Sequence, residues 1–183
     1  MGKAIEHTER TDEELVALMA EGDHGAAATL VSRHQRGLLN FFYRYTNDRL
    51  LAEDLAQEVF LRVYKSAPHY EPRTAFTIWL YRVAKNLCFN ELKARRVRER
   101  PLEQPVGVPT PHEEFDKAQR EARIRRAIGV LPDRQRLALI LRRFEGLSLT
   151  EAAAVLETTP GALEQLLARA KARLKTTLAD LLP

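Results

Sequence analysis

Apolar side chains recur at helical spacing through the first 98 residues and predict four helices. Thr11 and Glu14 form a capping-box pattern that opens the first helix. The second helix is predicted over residues 25–45, the third over 50–66 and the fourth over 74–98. Ala67-Pro68 ends the third helix, because the residue before a proline is disfavoured in helical conformation.

The same periodicity predicts four more helices after residue 112, the first over residues 113–130. Asp133 is predicted to cap the next helix, which ends near Gly146. Ser148 and Glu151 form a second capping box, which opens a short helix to Leu156. Thr159 then caps a long helix that has proline at its first position. A short helix, a tight turn and a longer helix indicate a helix-turn-helix, although many helical hairpins share this pattern.

Residues 101–111 hold four prolines and one glycine, a composition that interrupts the helical periodicity found before and after this segment. Such a segment is typical of an extended linker, which covers about 3.1 Å per residue. No stretch alternates apolar and polar residues as a strand would. The fold class predicted is therefore all-α, with two small helical domains. A four-helix domain spans residues 1–98, a Pro-rich linker 99–112 and a helix-turn-helix domain 113–183.

Positive charge is concentrated in the middle of the chain and indicates a candidate binding surface there. Residues 67–100 hold eight Lys and Arg against three Asp and Glu, whereas the whole chain carries only +4. On the predicted fourth helix an apolar stripe lies beside a second stripe formed by Arg82, Lys85, Asn86, Phe89, Lys93 and Arg96. Cations suit phosphates, an aromatic ring stacks on an unpaired base, and an amide can bind a base edge. The alternative is a solvated face whose Phe89 joins the core.

The predicted third helix carries the opposite charge on its polar side, at Glu53, Asp54, Gln57 and Glu58. An acidic face of this kind is unsuited to DNA and can hold a basic protein surface. Ordinary solvation of the helix is the simpler alternative. A carboxylate metal site is another, but helical metal sites usually add a Glu-x-x-His motif, and this helix contains no histidine.

The last predicted helix offers candidate contacts to duplex DNA. A recognition helix uses its first residues on base edges and later cations on phosphates. The positions concerned are Thr158, Thr159, Glu164, Gln165, Arg169, Lys171 and Arg173. Glu164 would repel phosphates unless it accepts a hydrogen bond from a cytosine amino group.

Several functional classes find no support in the sequence. Cys88 is the one cysteine, so no internal disulfide or cysteine-based zinc site is expected. No phosphate-binding glycine loop, nucleophile elbow or metal-ligating histidine pair occurs. We therefore expect no catalytic residue, no metal, no cofactor and no small-molecule substrate. The polar start and the lack of an apolar run of about 20 residues predict a cytoplasmic chain that is not inserted in a membrane.

Three segments together resemble the extracytoplasmic-function sigma factors of bacteria. They are AEDLAQEVFLRVYKS at 52–66, TAFTIWLYRVAKNLCFNELKARR at 74–96, and the stretch from LPDRQRLALILRR to LEQLLARAKARL at 131–174. They occur in the family's order, and a Pro-rich segment again separates the second from the third. The resemblance implies a factor that binds core RNA polymerase and directs transcription initiation from particular promoters.

The resemblance also implies roles for the residues already singled out. Asp54, Gln57 and Glu58 would bind the largest polymerase subunit. The loop from Tyr70 to Arg73, supported by Trp79, would lie beside the flipped base of the −10 element of promoter DNA. The fourth-helix stripe would line the melted strand, with Asn86 near the flipped base. The last helix would bind the −35 element, and an anti-sigma factor, often membrane-anchored, would hold the chain inactive.

One stretch departs from the family pattern. In Gly161-Ala162-Leu163-Glu164-Gln165-Leu166, acidic and apolar residues stand at 164 and 166, where basic side chains are expected. This predicts an unusual −35 sequence, a weaker contribution from this domain, or a protein contact for Leu166. Two other functions stay open at this point: a helix-turn-helix regulator that acts without polymerase, and an all-helical adaptor between proteins.

Overall fold

The computed structural model describes residues 7–98 and 112–179, with the side chains of 7–91 and 119–179. Every helix and turn in these ranges fits the predicted all-α class, and the described residues contain no strand. The helices are α1 (Asp12–Ala20), α2 (His24–Thr46), α3 (Arg49–Ser66), α4 (Phe76–Arg98), α5 (His112–Gly129), α6 (Asp133–Arg143), α7 (Leu149–Val155) and α8 (Pro160–Thr177). A 3-10 turn, Ala67–His69, follows α3. Most of the predicted linker, 99–111, lies outside the described residues, and its last predicted residue, His112, begins α5.

Side-chain caps fix where these helices begin. The Thr11 hydroxyl accepts from the Glu14 amide at 3.3 Å, while the Glu14 carboxylate accepts from the Thr11 amide at 2.8 Å. Ser148 and Glu151 repeat this reciprocal arrangement at α7. The Thr159 hydroxyl accepts from the Ala162 amide at 3.2 Å, with proline as the first residue of α8. The two capping boxes and the Thr159 cap are confirmed as predicted.

The start of α6 differs from the prediction. Pro132, not Asp133, holds the N-cap position, and Asp133 is the first residue of the helix. Proline can occupy that position because the amide it lacks would have no intrahelical partner there. The Asp133 carboxylate lies in the first turn, where the helix dipole favours negative charge. After α6 the chain turns at Gly146, whose φ of +70° suits a residue without a Cβ atom.

The core of the N-terminal half lies between α1, α2, α3 and α4. Its largest fully buried side chains include Leu15, Leu30, Phe41, Phe42, Phe76 and Leu80. The apolar stripe predicted for α3 faces this core through Leu55, Val59 and Val63. As a consequence, the polar side of α3 is turned outward.

The C-terminal half packs α6, α7 and α8 around Leu137, Ile140, Leu141 and Leu163, each buried completely. This packing is continuous with the N-terminal core, since buried residues of both halves belong to one cluster. The halves meet where α7 lies against α4 and α6 lies against α2. The surface of α4 is therefore shared between solvent and the C-terminal half.

Candidate functional site

The outward face of α3 presents the predicted acidic group. Asp54 and Gln57 are exposed, and Glu58 is partly exposed. The Glu58 carboxylate accepts from the Arg62 guanidinium at 2.6 Å, one helical turn on. At such an exposed site this ion pair contributes little to stability, so both groups stay available to a partner.

The same face also carries apolar side chains that charge counting missed. Leu50 is 75% exposed, Leu61 55% and Tyr64 44%. Together with Asp54 and Gln57 they follow each other at intervals of three or four residues along the outer side of α3. Exposed apolar groups among carboxylates are typical of a protein-binding surface. The helical spacing of these apolar residues, outside the core stripe, was the signal available in the sequence.

Aromatic rings meet beside the start of α4. The Tyr70 and Trp79 rings lie 4.7 Å apart between centroids, and Trp79 also contacts Phe76 at 5.8 Å. The Tyr70 hydroxyl donates to the Thr74 carbonyl at 3.1 Å, which fixes the loop that carries the exposed Arg73. Burial raises the pKa of Tyr70, and the carboxylates of Glu13 and Asp12 raise it further. Tyr70 therefore stays neutral at physiological pH, with Trp79 packed beneath it.

The predicted basic stripe of α4 is only partly open. Asn86 is exposed and Phe89 is half-buried, packed against the core. Lys93 and Arg96 lie outside the described side chains. The expectation of an exposed stripe is wrong for Lys85, of which 3% is exposed, and Arg82 is half-buried. Both are covered because the C-terminal half packs against this side of α4.

The predicted helix-turn-helix is formed by α7, a turn and α8. The turn contains Glu157, whose φ of +51° reverses the chain between the helices. Thr158 is half-buried, and the Thr159 hydroxyl is used as a cap. The remaining candidates on α8 are exposed, namely Glu164, Gln165, Arg169, Lys171 and Arg173. Leu166 is partly buried against the core, which gives its apolar side chain a structural role.

Two family models match this chain, one to each half. Residues 30–98 match Sigma-70 region 2, and residues 121–174 match Sigma-70 region 4. The RNA polymerase sigma-H factor of Pseudomonas aeruginosa is 31% identical over 96% of this chain and 97% of its own length. The ECF RNA polymerase sigma-E factor of Haemophilus influenzae is 30% identical over 94% of this chain and 97% of its own.

The chain belongs to the extracytoplasmic-function family of RNA polymerase sigma factors. The acidic and apolar face of α3 and the aromatic loop before α4 thus lie in the region 2 match, and the helix-turn-helix lies in the region 4 match. A solved structure, the sigma factor RpoE of Bartonella quintana in complex with the anti-sigma factor NepR, has the same fold, with a TM-score of 0.69. It is 22% identical and covers 83% of this chain and 96% of that chain.

The described part of this sigma factor contains neither a metal-binding cluster nor a helix suited to a membrane. Within residues 7–98 and 112–179, no group of three His, Cys, Asp or Glu side chains could hold a metal ion. None of the described helices has the length and apolar character needed to cross a membrane. Cys88 is fully buried, and burial raises the pKa of its thiol well above the usual value. Its thiol is therefore protonated and shielded from reagents in solution.

Proposed function

We propose that this sigma factor binds core RNA polymerase through the outer face of α3 and uses α4 to hold the melted −10 strand. It directs initiation to chosen promoters and catalyses no step itself. The observation that carries the proposal is the outward face of α3, where Asp54, Gln57 and Glu58 lie among exposed apolar residues. That mixture suits a protein surface and would repel nucleic acid.

The DNA contacts are proposed in two groups. Tyr70, Arg73 and Trp79 would border the flipped −10 base, with Asn86 beside it and Arg82, Lys85, Phe89, Lys93 and Arg96 along the strand. Stacking and phosphate contacts would repay the few kcal/mol needed to unstack each base. The exposed residues of α8, with Thr158 and Thr159 before them, would bind the −35 duplex.

The domain limits and the cellular setting are proposed as well. Residues 1–98 would form the −10 domain, 99–112 the linker and 113–183 the −35 domain. The factor would act in the cytoplasm, where polymerase and chromosome lie. In the Bartonella quintana complex RpoE is bound by the anti-sigma factor NepR. We propose that an inhibitor protein of the same kind controls the present chain.

A binding experiment with and without core polymerase tests the function. Gel shifts on a duplex library should give specific complexes only when both the chain and core polymerase are present. A regulator acting without polymerase would instead bind an operator tightly alone, usually as a dimer on a two-fold site. A protein–protein adaptor would lack the salt-sensitive DNA binding that phosphate contacts produce. Either of these two results would replace the proposal.

A further inference from the structure

Helix α4 begins after a residue whose side chain cannot cap it. Ala75 precedes the first helical residue, and its carbonyl accepts from the amides of Ile78 and Trp79, as the carbonyl of an N-cap residue does. An alanine side chain has no oxygen, and the first turn of α4 contains no acidic residue. The first amides of this helix therefore lack the usual acceptor from a neighbouring side chain.

Glu13 of α1 supplies an acceptor from 63 positions away. Its carboxylate accepts from the amide of Phe76, the first residue of α4, at 2.8 Å. A carboxylate at this end of a helix also lies where the helix dipole favours negative charge. In addition to burial, the charges of Glu13 and Asp12 raise the pKa of Tyr70, which places both carboxylates beside the loop before α4. Glu13 thus caps α4 from a different helix.

Contacts from α2 hold α1, and with it Glu13, in place. The Asp12 carboxylate, next to Glu13 in the chain, accepts from His34 at 2.6 Å and from Arg33 at 2.7 Å. The His34 ring also lies 5.2 Å from the Phe76 ring, between centroids. His34 therefore contacts both α1 and the first residue of α4, on either side of the hydrogen bond that Glu13 accepts.

Phe76 connects this arrangement to the aromatic rings of the loop. Its fully buried ring lies 5.8 Å from that of Trp79 and 6.5 Å from that of Tyr70, between centroids. Tyr70 and Trp79 are the two aromatic residues proposed to border the flipped −10 base. A shift of Phe76 at the helix start would therefore move the rings beside which that base lies.

We propose that Glu13 is a positioning residue for recognition of the −10 element. By capping α4 from α1, it holds the Tyr70 and Trp79 rings in the arrangement that receives the flipped base. This role rests on the proposed function of the loop. It goes beyond the match to Sigma-70 region 2, because α1 ends before residue 30, where that match begins. Loss of the cap frees the helix start and weakens the choice of base, while the outer face of α3 is unchanged.

Two variants of similar length separate the hydrogen bond from the charge. Glu13→Gln and Glu13→Met both remove the charge and suit a helix, but only glutamine keeps an oxygen that can accept from the Phe76 amide. Trp79 is the one tryptophan of the chain, so its fluorescence reports on this loop in the free protein. Glu13→Met should raise the quenching of Trp79 by acrylamide at least about twofold, because loss of a cap shifts the balance towards a frayed helix start about fivefold. Glu13→Gln and the exposed control Glu9→Gln should stay near the parent.

A cap placed within the loop provides the rescue. Ala75→Ser puts a hydroxyl at the N-cap position, where it can accept from an amide of the first turn. Combined with Glu13→Met, it should return both folding, measured by circular dichroism, and Trp79 quenching to nearly those of the parent. Equal quenching in the folded Gln and Met variants would overturn the proposal. Failure of the double variant to recover would count against capping as the cause.

Base selection is measured with core polymerase present. Parent and variants direct abortive transcription on a duplex library, the productive templates are sequenced, and pull-down verifies equal core binding. Glu13→Met should lower the preference for one base of the −10 block about fivefold, with Glu13→Gln and the double variant close to the parent. An unchanged preference in Glu13→Met, despite raised Trp79 quenching, would overturn the role in recognition. A parent chain that yields no transcripts would count against the proposed function, whereas the quenching comparison would still decide whether Glu13 holds the loop.

Discussion

The Arg136 guanidinium donates to the Tyr45 carbonyl at 2.9 Å and lies over the ring of that tyrosine, 5.0 Å from its centroid. It also donates to the carbonyls of Leu131, at 3.1 Å, and of Gly129, the last residue of α5. One buried cation thus satisfies the C-terminal end of α5, where the helix dipole favours positive charge, and joins α6 to α2.

Replacement of Arg136 should therefore destabilise the fold. Arg136→Leu leaves several buried carbonyls without a donor, and we expect a loss of about 2–4 kcal/mol in the free energy of unfolding. Arg136→Lys should retain only part of the stability that the arginine provides, because one ammonium group cannot reproduce the planar set of guanidinium donors. Chemical denaturation measures both, with the exposed Arg143→Leu as control, expected within about 0.5 kcal/mol of the parent. A loss for Arg136→Leu no larger than the control's would refute this role.

The polymerase-binding face gives a second prediction. Asp54→Ala combined with Glu58→Ala should weaken core binding at least about tenfold, since truncation of interfacial charges costs one to several kcal/mol. Both side chains are outside the core, so the unfolding transition should stay unchanged. Pull-down or fluorescence titration with core enzyme gives the affinity. The pair Glu9→Ala and Glu21→Ala removes two exposed carboxylates elsewhere and should have no effect. If both double variants bind core like the parent, the docking assignment is wrong.

The strand-binding role of α4 predicts a defect in melting that is separate from polymerase binding. Asn86→Ala and Phe89→Ala should lower open-complex formation, with a base-stacking loss of about 1–3 kcal/mol for Phe89. The affinity of both variants for core RNA polymerase should change little. Permanganate footprinting detects the unpaired thymines, and Gln35→Ala, on the exposed side of α2, is the control. Because Phe89 also packs on the hydrophobic core, the unfolding midpoint of the Phe89→Ala variant is measured in parallel. Equal melting by Asn86→Ala and the parent would contradict the role of the amide.

A pH-dependent contribution is expected at Asp12, in the first turn of α1. Hydrogen bonds from His34, at 2.6 Å, and from Arg33, at 2.7 Å, lower the pKa of this carboxyl although burial opposes them. A carboxyl whose pKa is lowered in the folded state stabilises the fold at pH values above its unfolded-state pKa, which is near 4. This contribution is lost as the pH falls through the folded-state pKa.

Asp12→Asn should thus reduce stability by about 1 kcal/mol at pH 7 and by progressively less below pH 4. Denaturant midpoints at a series of pH values measure this difference, with the exposed Glu9→Gln as control. A difference between Asp12→Asn and the parent that stayed constant from pH 7 to pH 3 would exclude an electrostatic origin.

The helices and their caps could be predicted because they depend on neighbouring residues. A capping box requires only two suitable residues three positions apart, as in Thr11 with Glu14 and Ser148 with Glu151. Asp133 was misplaced by one position because proline and aspartate both suit a helix start, and only the backbone conformation decides between them. The outer face of α3 was predicted in part, since its carboxylates are evident from charge and its exposed leucines only from the packing.

The contacts between the halves could not be predicted. Lys85 and Glu157, which form an ion pair, are 72 residues apart. Arg136 follows Asp133 and Arg134 at the polar start of α6, where a solvated side chain is expected. Long-range pairing of this kind depends on how completed helices pack, which periodicity does not encode. For the same reason the covered side of α4 was expected to be exposed.

Abortive transcription is a direct assay for promoter-dependent initiation by this sigma factor. Purified chain and core RNA polymerase are combined on a duplex library with nucleotides for the first few bonds, and the productive templates are sequenced. We predict short transcripts that require the chain and arise from templates sharing two sequence blocks at one fixed spacing. If a folded chain in complex with core polymerase gives no more transcript than core polymerase alone, the chain does not direct initiation.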